Sequence, residues 1–451
     1  MTLRVGLLMF KLIFLCFLPA LSIAQARLTD TLSKPKFGRA TLELGLAELA
    51  PYVLDRYVRH AKVYYISFKT LSNNIKPSSW AFDNDPLGTN QFGHPYHGSL
   101  FFNAYRANGY SFWQAAPAAL VGSYIWETAA ENQPPATNDF INTGFGGIVL
   151  GEMTYRLSNK IVNNRTRGVK RQVSEVFGLI VNPMNGLTRI MNGKWGKVAP
   201  NSPERDSSVI NAEFDLGIRK INGGKQGGDF GWFGHIKLLY GTPYQDYKTP
   251  FSNIAINTEF GKDDSTKVNI ITVYGSLIGW RIRSSEDFRH LVVLSANYDY
   301  INNQSFFYSA QSVKFNLFSH LNLGKICKVN TNFGTGLIIL GAVPDSYMYY
   351  GRNYDYGMGI GVNAGGNVVF ADKFYYTLNY RGGWLKTVNG NNSYYFLHTL
   401  SSEVRYRFAE RFSACAEGGY FTLHGHYVHF TNVNRDYPYL RISARYDITI
   451  Q

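Results

Sequence analysis

Cysteine is scarce: the 451-residue chain has three, at Cys16, Cys327 and Cys415. A disulfide-stapled scaffold is therefore excluded, and Cys327 and Cys415 are expected to be unpaired. Charged residues are only 17% of the chain. After the first two dozen residues, no apolar run approaches the roughly 20 residues that a membrane-spanning helix needs. Any crossing of a bilayer by the rest of the chain must therefore be made by strands. There is also no phosphate loop, nucleotide fingerprint or nucleophile elbow. No cofactor is expected, and His424, His426 and His429 lack a carboxylate or cysteine to complete a metal set.

What the sequence does have begins at the start. Arg4 and Lys11 precede the apolar run Leu12 to Leu18, and Ser22-Ile23-Ala24 has the small-x-small form of a cleavage site. Residues 1–24 read as a secretory signal peptide, too short and too closely followed by small residues to be an anchor. Cys16 follows Leu15 rather than a small residue, which disfavours a lipid-modified cysteine. Aromatics are 16% of the chain, with Tyr 32 and Phe 31 far ahead of Trp 7. That bias suits sheets with aromatic belts at a membrane interface. The net charge of +14 is scattered apart from Arg165 to Arg171. In an exported chain with no nucleic-acid module, it points to anionic lipid or glycan and not to nucleic acid.

From Ser207 onward the apolar period is two, the mark of strands with two unlike faces. Ile210, Ala212, Phe214, Leu216 and Ile218 alternate with Asn211, Glu213, Asp215 and Arg219. Tyr356, Met358, Ile360, Val362 and Ala364 alternate with Gly357, Gly359, Gly361, Asn363 and Gly365. Leu440, Ile442, Ala444, Tyr446, Ile448 and Ile450 alternate with Arg441, Ser443, Arg445, Asp447 and Thr449. The strands are long, and tight turns alternate with long connections expected at about 242–266, 342–355 and 424–438. Two turns share one pattern, Phe370-Ala-Asp-Lys-Phe374 and Phe408-Ala-Glu-Arg-Phe412, as a periplasmic aromatic girdle would.

Residues 205–451 are thus expected to form an antiparallel transmembrane β-barrel. Eleven strands are countable after Ser207. Because such barrels use even numbers, one more is expected upstream, at Ala61–Leu71 or Gly147–Leu157, giving about twelve with 10–14 allowed. The expected lumen face carries Glu213, Asp215, Arg219, Arg281, Glu403, Arg405, Arg407, Glu417, Arg441 and Arg445, either as a wet channel or as a paired network that stiffens the wall.

Upstream the period changes, and the fold class becomes α+β. Residues 25–79 are an N-terminal segment with room for one strand. Residues 80–204 read as mostly helical, a plug or a periplasmic module. Ser111 can cap a helix running to Glu131, another is expected from Thr137-Asn138-Asp139 to about Val162, and Asn182-Pro183 breaks a third. The run His94-Pro95-Tyr96-His97-Gly98-Ser99 is followed by Asn103, Arg106, Asn108-Gly109 and Ser111-Phe112-Trp113. Then come Gly122-Ser123, Trp126-Glu127, Glu131, Pro135 to Asp139, Gly146-Gly147, Gly151-Glu152, and Asn182-Pro183 with Gly186, Arg189 and Gly193. As an ordered set over roughly residues 80 to 197, these resemble the uncharacterised bacterial family called domain of unknown function 3943. The resemblance implies an envelope protein and carries no activity. Thr137 stands where that pattern has Ser, so a serine nucleophile is not expected there.

Within this set, Glu127 and Glu131 share a helix face. With His94 and His97 upstream they suit general acid–base work or metal binding, against a packed structural role. Arg106, Asn138, Asp139 and Glu152 are expected to bind ligand or complete a network. Arg106 is expected within salt-bridge reach of Glu127 or Glu131, with His94 or His97 on the same cluster. Three functional classes fit: a barrel binding or transporting a polar or amphiphilic envelope molecule, a lipid- or glycan-modifying hydrolase, and a purely structural envelope protein. The expected location is the outer membrane of a Gram-negative bacterium. The expected partners are outer-membrane lipid, lipopolysaccharide and the barrel-assembly machinery.

Overall fold

The computed structural model describes residues 34–450 except 223–229, 245, 262–267, 283–284, 286, 304–306 and 325. The expected signal peptide, residues 1–24 with Cys16, lies outside the described residues. The chain divides into two compact units, one comprising residues up to Asp83 and Gly88–Asp206, the other Asn84–Leu87 and Ser207–Gln451.

The first unit is helical. Its main elements are α1 (Phe37–Val53), α2 (Phe68–Asn74), α3 (His94–Arg106), α4 (Phe112–Ala129), α5 (Thr137–Ile141), α6 (Gly147–Ile161), α7 (Gly168–Val181) and α8 (Pro183–Met191). Ser111 caps α4 through a reciprocal box with Gln114, and Asn182 caps α8 by accepting from the Asn185 amide. Such caps satisfy amide donors that have no partner inside the helix. Short π-helical turns at Thr89–Gly93 and Asn142–Gly146 run directly into α3 and α6.

The glycines here serve close approach. A Cβ on Gly98 would sit 1.8 Å from the Thr143 carbonyl oxygen, and one on Gly147 would sit 2.5 Å from the Gly98 carbonyl carbon. Backbone therefore meets backbone where α3 crosses the start of α6. Leu44, Ala47, Phe101, Ala104, Ala118 and Met184 pack as one apolar core around these crossings.

The second unit is a closed antiparallel barrel of twelve strands, in which β1 (Ile210–Ile221) pairs both β2 (Phe230–Tyr240) and β12 (Val433–Ile450). Between them run β3 (Ile254–Gly261), β4 (Val268–Arg281), β5 (Phe288–Asn302), β6 (Phe307–Leu323), β7 (Cys327–Tyr349), β8 (Arg352–Phe370), β9 (Phe374–Asn389), β10 (Ser393–Arg407) and β11 (Phe412–Tyr427). Among the described residues every strand follows Ser207, so the expectation of an upstream strand is corrected. Ala61–Leu71 is 3-10 and α-helical, and Gly147–Leu157 lies within α6. The uncounted strand is β3, inside the expected connection 242–266. At eight residues it is too short to show a clear alternation.

The other two expected long connections are corrected as well. β7 and β8 continue their ladder to the pair Tyr349–Arg352, and β11 runs to Tyr427, so His424 and His426 lie in a strand. Cys327 and Cys415 are unpaired.

The alternation sets the faces. Leu216, Ile218, Ile360, Leu440 and Ile442 point outward and are exposed, as are Phe370, Phe374, Phe408 and Phe412 at the two tight turns. Asp215, Arg219, Arg405, Arg441 and Arg445 are buried on the other face. Arg281, at the exposed end of β4, is not among them.

One prediction follows from these faces and a second from burial in the helical unit. Ile360→Arg puts a guanidinium on the outward wall and is expected to cost about 2–4 kcal/mol near a bilayer midplane, read as a lower denaturant midpoint in lipid vesicles. In the helical unit, burial pushes the Glu48 carboxyl up to about 8. A carboxyl raised on folding stabilises the fold below its unfolded value and loses that contribution as pH rises through the folded value. Stability is therefore expected to fall from about pH 4.5 to about pH 8, and Glu48→Gln to flatten that slope, as followed by helical circular dichroism in urea.

Candidate functional site

The residues singled out in the helical unit fall into two separate clusters. Arg106 belongs to the first. Its guanidinium donates to Glu152 from Nε at 2.7 Å and Nη2 at 3.1 Å, and to the Tyr110 carbonyl at 3.0 Å. Arg156 donates to the same carboxylate at 2.8 Å from one turn along α6. Arg106 and Glu152 are wholly buried. The expectation that Arg106 reaches Glu127 or Glu131 is therefore corrected. Arg106 is the last residue of α3, a dozen residues from His94, and its end of the helix faces Glu152 on α6.

The second cluster forms where the starts of α3 and α5 meet the end of α4. His94 Nε2 lies 3.5 Å from Asp139 Oδ2, with side-chain exposures of 13% and 6%. Ligand-type atoms of His94, Glu127 and Asp139 all lie within 4.8 Å of one another. Each of the three is also held from behind. Thr143 Oγ1 is 3.3 Å from His94 Nδ1, the Asn138 amide donates to Asp139 Oδ1 at 2.8 Å, and the Ala136 N–H donates to Glu127 Oε2 at 2.7 Å. Glu131 is half-buried and accepts from the Trp126 indole at 2.8 Å.

Asn138 ties in a residue that sequence reasoning missed. Its Nδ2 donates to Asp83 at 2.7 Å, as does that of Asn90, and its Oδ1 accepts from the Asp83 N–H at 3.0 Å. Asp83 lies more than 40 residues from the other acids and outside any periodic segment. Only its place at the edge of the motif region could have pointed to it.

His97 has a different role. Its Nε2 lies 3.1 Å from the Ala47 carbonyl oxygen, and its ring packs against Phe101 at 4.4 Å and Trp126 at 4.6 Å. It locks α1 to α3 and α4 as a core residue.

The electrostatics of the second cluster are those of acids crowded out of water. Burial, followed by the charges of Glu127, Asp83 and Glu131, raises the Asp139 carboxyl well above the usual range. Burial lowers the His94 imidazole to about 4 and also lowers that of His97. Groups shifted in opposite directions at one place are the arrangement that proton transfer or cation binding exploits.

The two clusters should respond differently to mutation. Glu152→Ala leaves the guanidinium groups of Arg106 and Arg156 buried without their shared acid. It is expected to destabilise the helical unit by about 3–5 kcal/mol, measured by denaturant unfolding. Arg106→Ala should cost less, because Arg156 still holds the carboxylate.

Comparison with known proteins finds one family model and several solved structures that resemble parts of the chain. The family model described as Domain of unknown function (DUF3943) matches residues 79–184. No curated protein matches the chain in sequence. Among solved structures, the NanC porin is similar over 52% of this chain and 100% of its own, at 9% identity and a TM-score of 0.32. The COG4313 outer membrane channel from Pseudomonas putida F1 is similar over 53% of this chain and 95% of its own, at 12% identity and a TM-score of 0.29. The KdgM porin is similar over 52% and 99%, at 10% identity and a TM-score of 0.26. Residues 79–184, within the helical unit, thus match the model of that domain of unknown function, and a twelve-stranded antiparallel β-barrel follows them in the chain.

Proposed function

We propose that this chain is a Gram-negative outer-membrane protein that works by binding a polar or amphiphilic envelope molecule at its helical unit, with a barrel that is a closed wall and not a conduit. Outer-membrane lipid, including lipopolysaccharide, would surround the apolar outer face, and the barrel-assembly machinery would insert it.

The observation that carries this reading is the set of contacts across the lumen. Lys237 on β2 lies 3.7 Å from Glu403 on β10, four strands away round the ring. Arg381 on β9 lies 3.3 Å from Asp299 on β5, and Tyr427 on β11 donates to Asp345 on β7 at 2.9 Å, each again four strands away. Four strand spacings are roughly 19 Å along the wall, so these contacts cross the interior.

Around them the charges are paired. Arg445 donates to Asp215 at 2.6 Å and to Glu403 at 2.7 Å, and Arg441 lies 2.7 Å from Glu259, which also pairs with Arg219. Arg405 bridges Glu213 and Asp447. A second layer is apolar: Ile221, Ile338, Leu385, Leu397, Phe421 and Tyr439, from six different strands, pack as one core. A lumen cavity beside Asp299, Lys314 and Arg381 has a volume of about 50 Å³, room for a few waters. An open pore has none of these contacts at its axis.

A hydrolase acting on lipid or glycan is the second reading. It is favoured by the 3.5 Å approach of His94 to Asp139 beside Glu127, a pairing suited to general acid–base work. Loss of a lipid or glycan modification in a deletion strain, restored by wild type but not by a well-folded Glu127→Gln, would select it.

Purified full-length protein in planar bilayers is expected to show no conductance steps above the bare membrane. Lys237→Ala combined with Arg381→Ala, which removes two of the cross-lumen ion pairs, is expected to give flickering leak. Steady wild-type conductance, or recovery of the protein in the soluble periplasm instead of the outer membrane, would overturn the proposal.

A further inference from the structure

We infer that His94, Glu127 and Asp139 form a binding site for one divalent transition-metal ion. This deepens the reading of the helical unit as a binding centre.

The three side chains come from three helices, α3, α4 and α5. They present one imidazole nitrogen and two carboxylates within 4.8 Å of one another. Ligand atoms about 2.0–2.2 Å from a common ion lie roughly 3–4 Å apart. The 3.5 Å between His94 Nε2 and Asp139 Oδ2 already fits, and the remaining pairs need to close by less than about an ångström.

Each ligand is also oriented from outside the site, which is how protein metal centres fix ring tautomer and carboxylate direction. The Thr143 hydroxyl on His94 Nδ1 turns Nε2 inward. The Asn138 amide engages Asp139 Oδ1, which leaves Oδ2 facing His94. The Ala136 N–H fixes Glu127 through Oε2.

An independent observation concerns groups that are not acids. Asn142 is wholly buried, and neither its carboxamide oxygen nor its nitrogen has a hydrogen-bond partner. It follows Asp139 by three residues along a continuous helical path and so shares its face. Ser123 is 1% exposed, its hydroxyl is likewise unpartnered, and it precedes Glu127 by one turn of α4. Buried polar groups are almost always satisfied. Two unsatisfied ones, each about one helical turn from a carboxylate ligand, are what a centre completed by an ion and its bound waters would have.

Charge agrees. Glu127 and Asp139 bring two buried carboxylates to one place, and a divalent cation is the compact charge that offsets them. The imidazole selects a transition ion over magnesium or calcium, which prefer oxygen alone.

The test uses full-length protein in detergent, stripped with a chelator, then dialysed against Zn²⁺ or Mn²⁺ and measured for bound metal. About one ion per chain is expected to stay bound against excess Mg²⁺. His94→Gln and Asp139→Asn should each weaken it at least tenfold while heat-modifiable migration of the barrel is retained. Where a variant fails to fold, wild type loaded with Co²⁺ answers instead, with visible absorption bands of nitrogen and oxygen ligation expected. No uptake by wild type, equal uptake by the variants, or Co²⁺ bands of a free aquo ion would overturn the inference. Conductance of the same preparation tests the closed lumen separately, so the two ideas can fail independently.

Discussion

A charged side chain removed from water must be given a partner, and both units of this chain are organised by that requirement. Moving a carboxylate or guanidinium into a low-dielectric interior costs several kcal/mol even after relaxation. The barrel meets the cost with shared ion pairs: Arg445 between Asp215 and Glu403, and Glu259 between Arg219 and Arg441. The helical unit repeats the solution twice, with Glu152 between Arg106 and Arg156 and Glu175 between Arg171 and Arg189. In each of these an opposite charge lies at hydrogen-bonding distance. Such networks break badly when one member is lost, because the others are left buried.

Against that background the His94 cluster stands out chemically. Its acids are held by neutral donors, Asn138, the Ala136 amide and the Trp126 indole, and by an imidazole that burial keeps neutral. Burial and the charges of Glu127, Asp83 and Glu131 raise the carboxyl of Asp139, whereas at Glu175 the hydrogen bonds and charges of Arg189 and Arg171 overcome burial and lower it. The same fold thus contains buried acids paired with arginine and, beside His94, acids that accept from Asn138, the Ala136 amide and the Trp126 indole. Stability explains the first kind. The second is costly unless it is used.

How much of this was legible follows from the range of each signal. Period-two alternation is local, so the faces of β1, β8 and β12 could be read from the sequence, with Ile360 outward and Arg445 inward. The short β3 offers too few alternations, and parity was satisfied by assigning a strand to a segment that is helical. The caps at Ser111 and Asn182 were readable because capping uses neighbouring residues. The partner of Arg106 was not. Glu127, Glu131 and Glu152 were all acids within reach in sequence, and the choice among them depends on the crossing of α3 and α6. That crossing is set by Gly98 against Gly147, whose backbones leave no space for a side chain. Asp83 was invisible for the same reason: its link to Asn138 is long-range, and no periodicity marks it.

The glycine crossing also bears on how the cluster is built. Because Gly98 lies one turn after His94 on α3, and Gly147 follows the π-helical turn that carries Thr143, their contact fixes the distance between the two segments. The imidazole then reaches both Thr143 and Asp139 without a longer side chain on either partner. A π-helical turn inserts an extra residue into the helical path, which changes the angular placement of Asp139 and Asn142 relative to α6. Without that insertion, residues before and after the turn would follow one unbroken α-helical periodicity. The backbone irregularity and the glycine pair are therefore two parts of one device: one sets which way the ligand face of α5 points, and the other sets how close α3 comes to it.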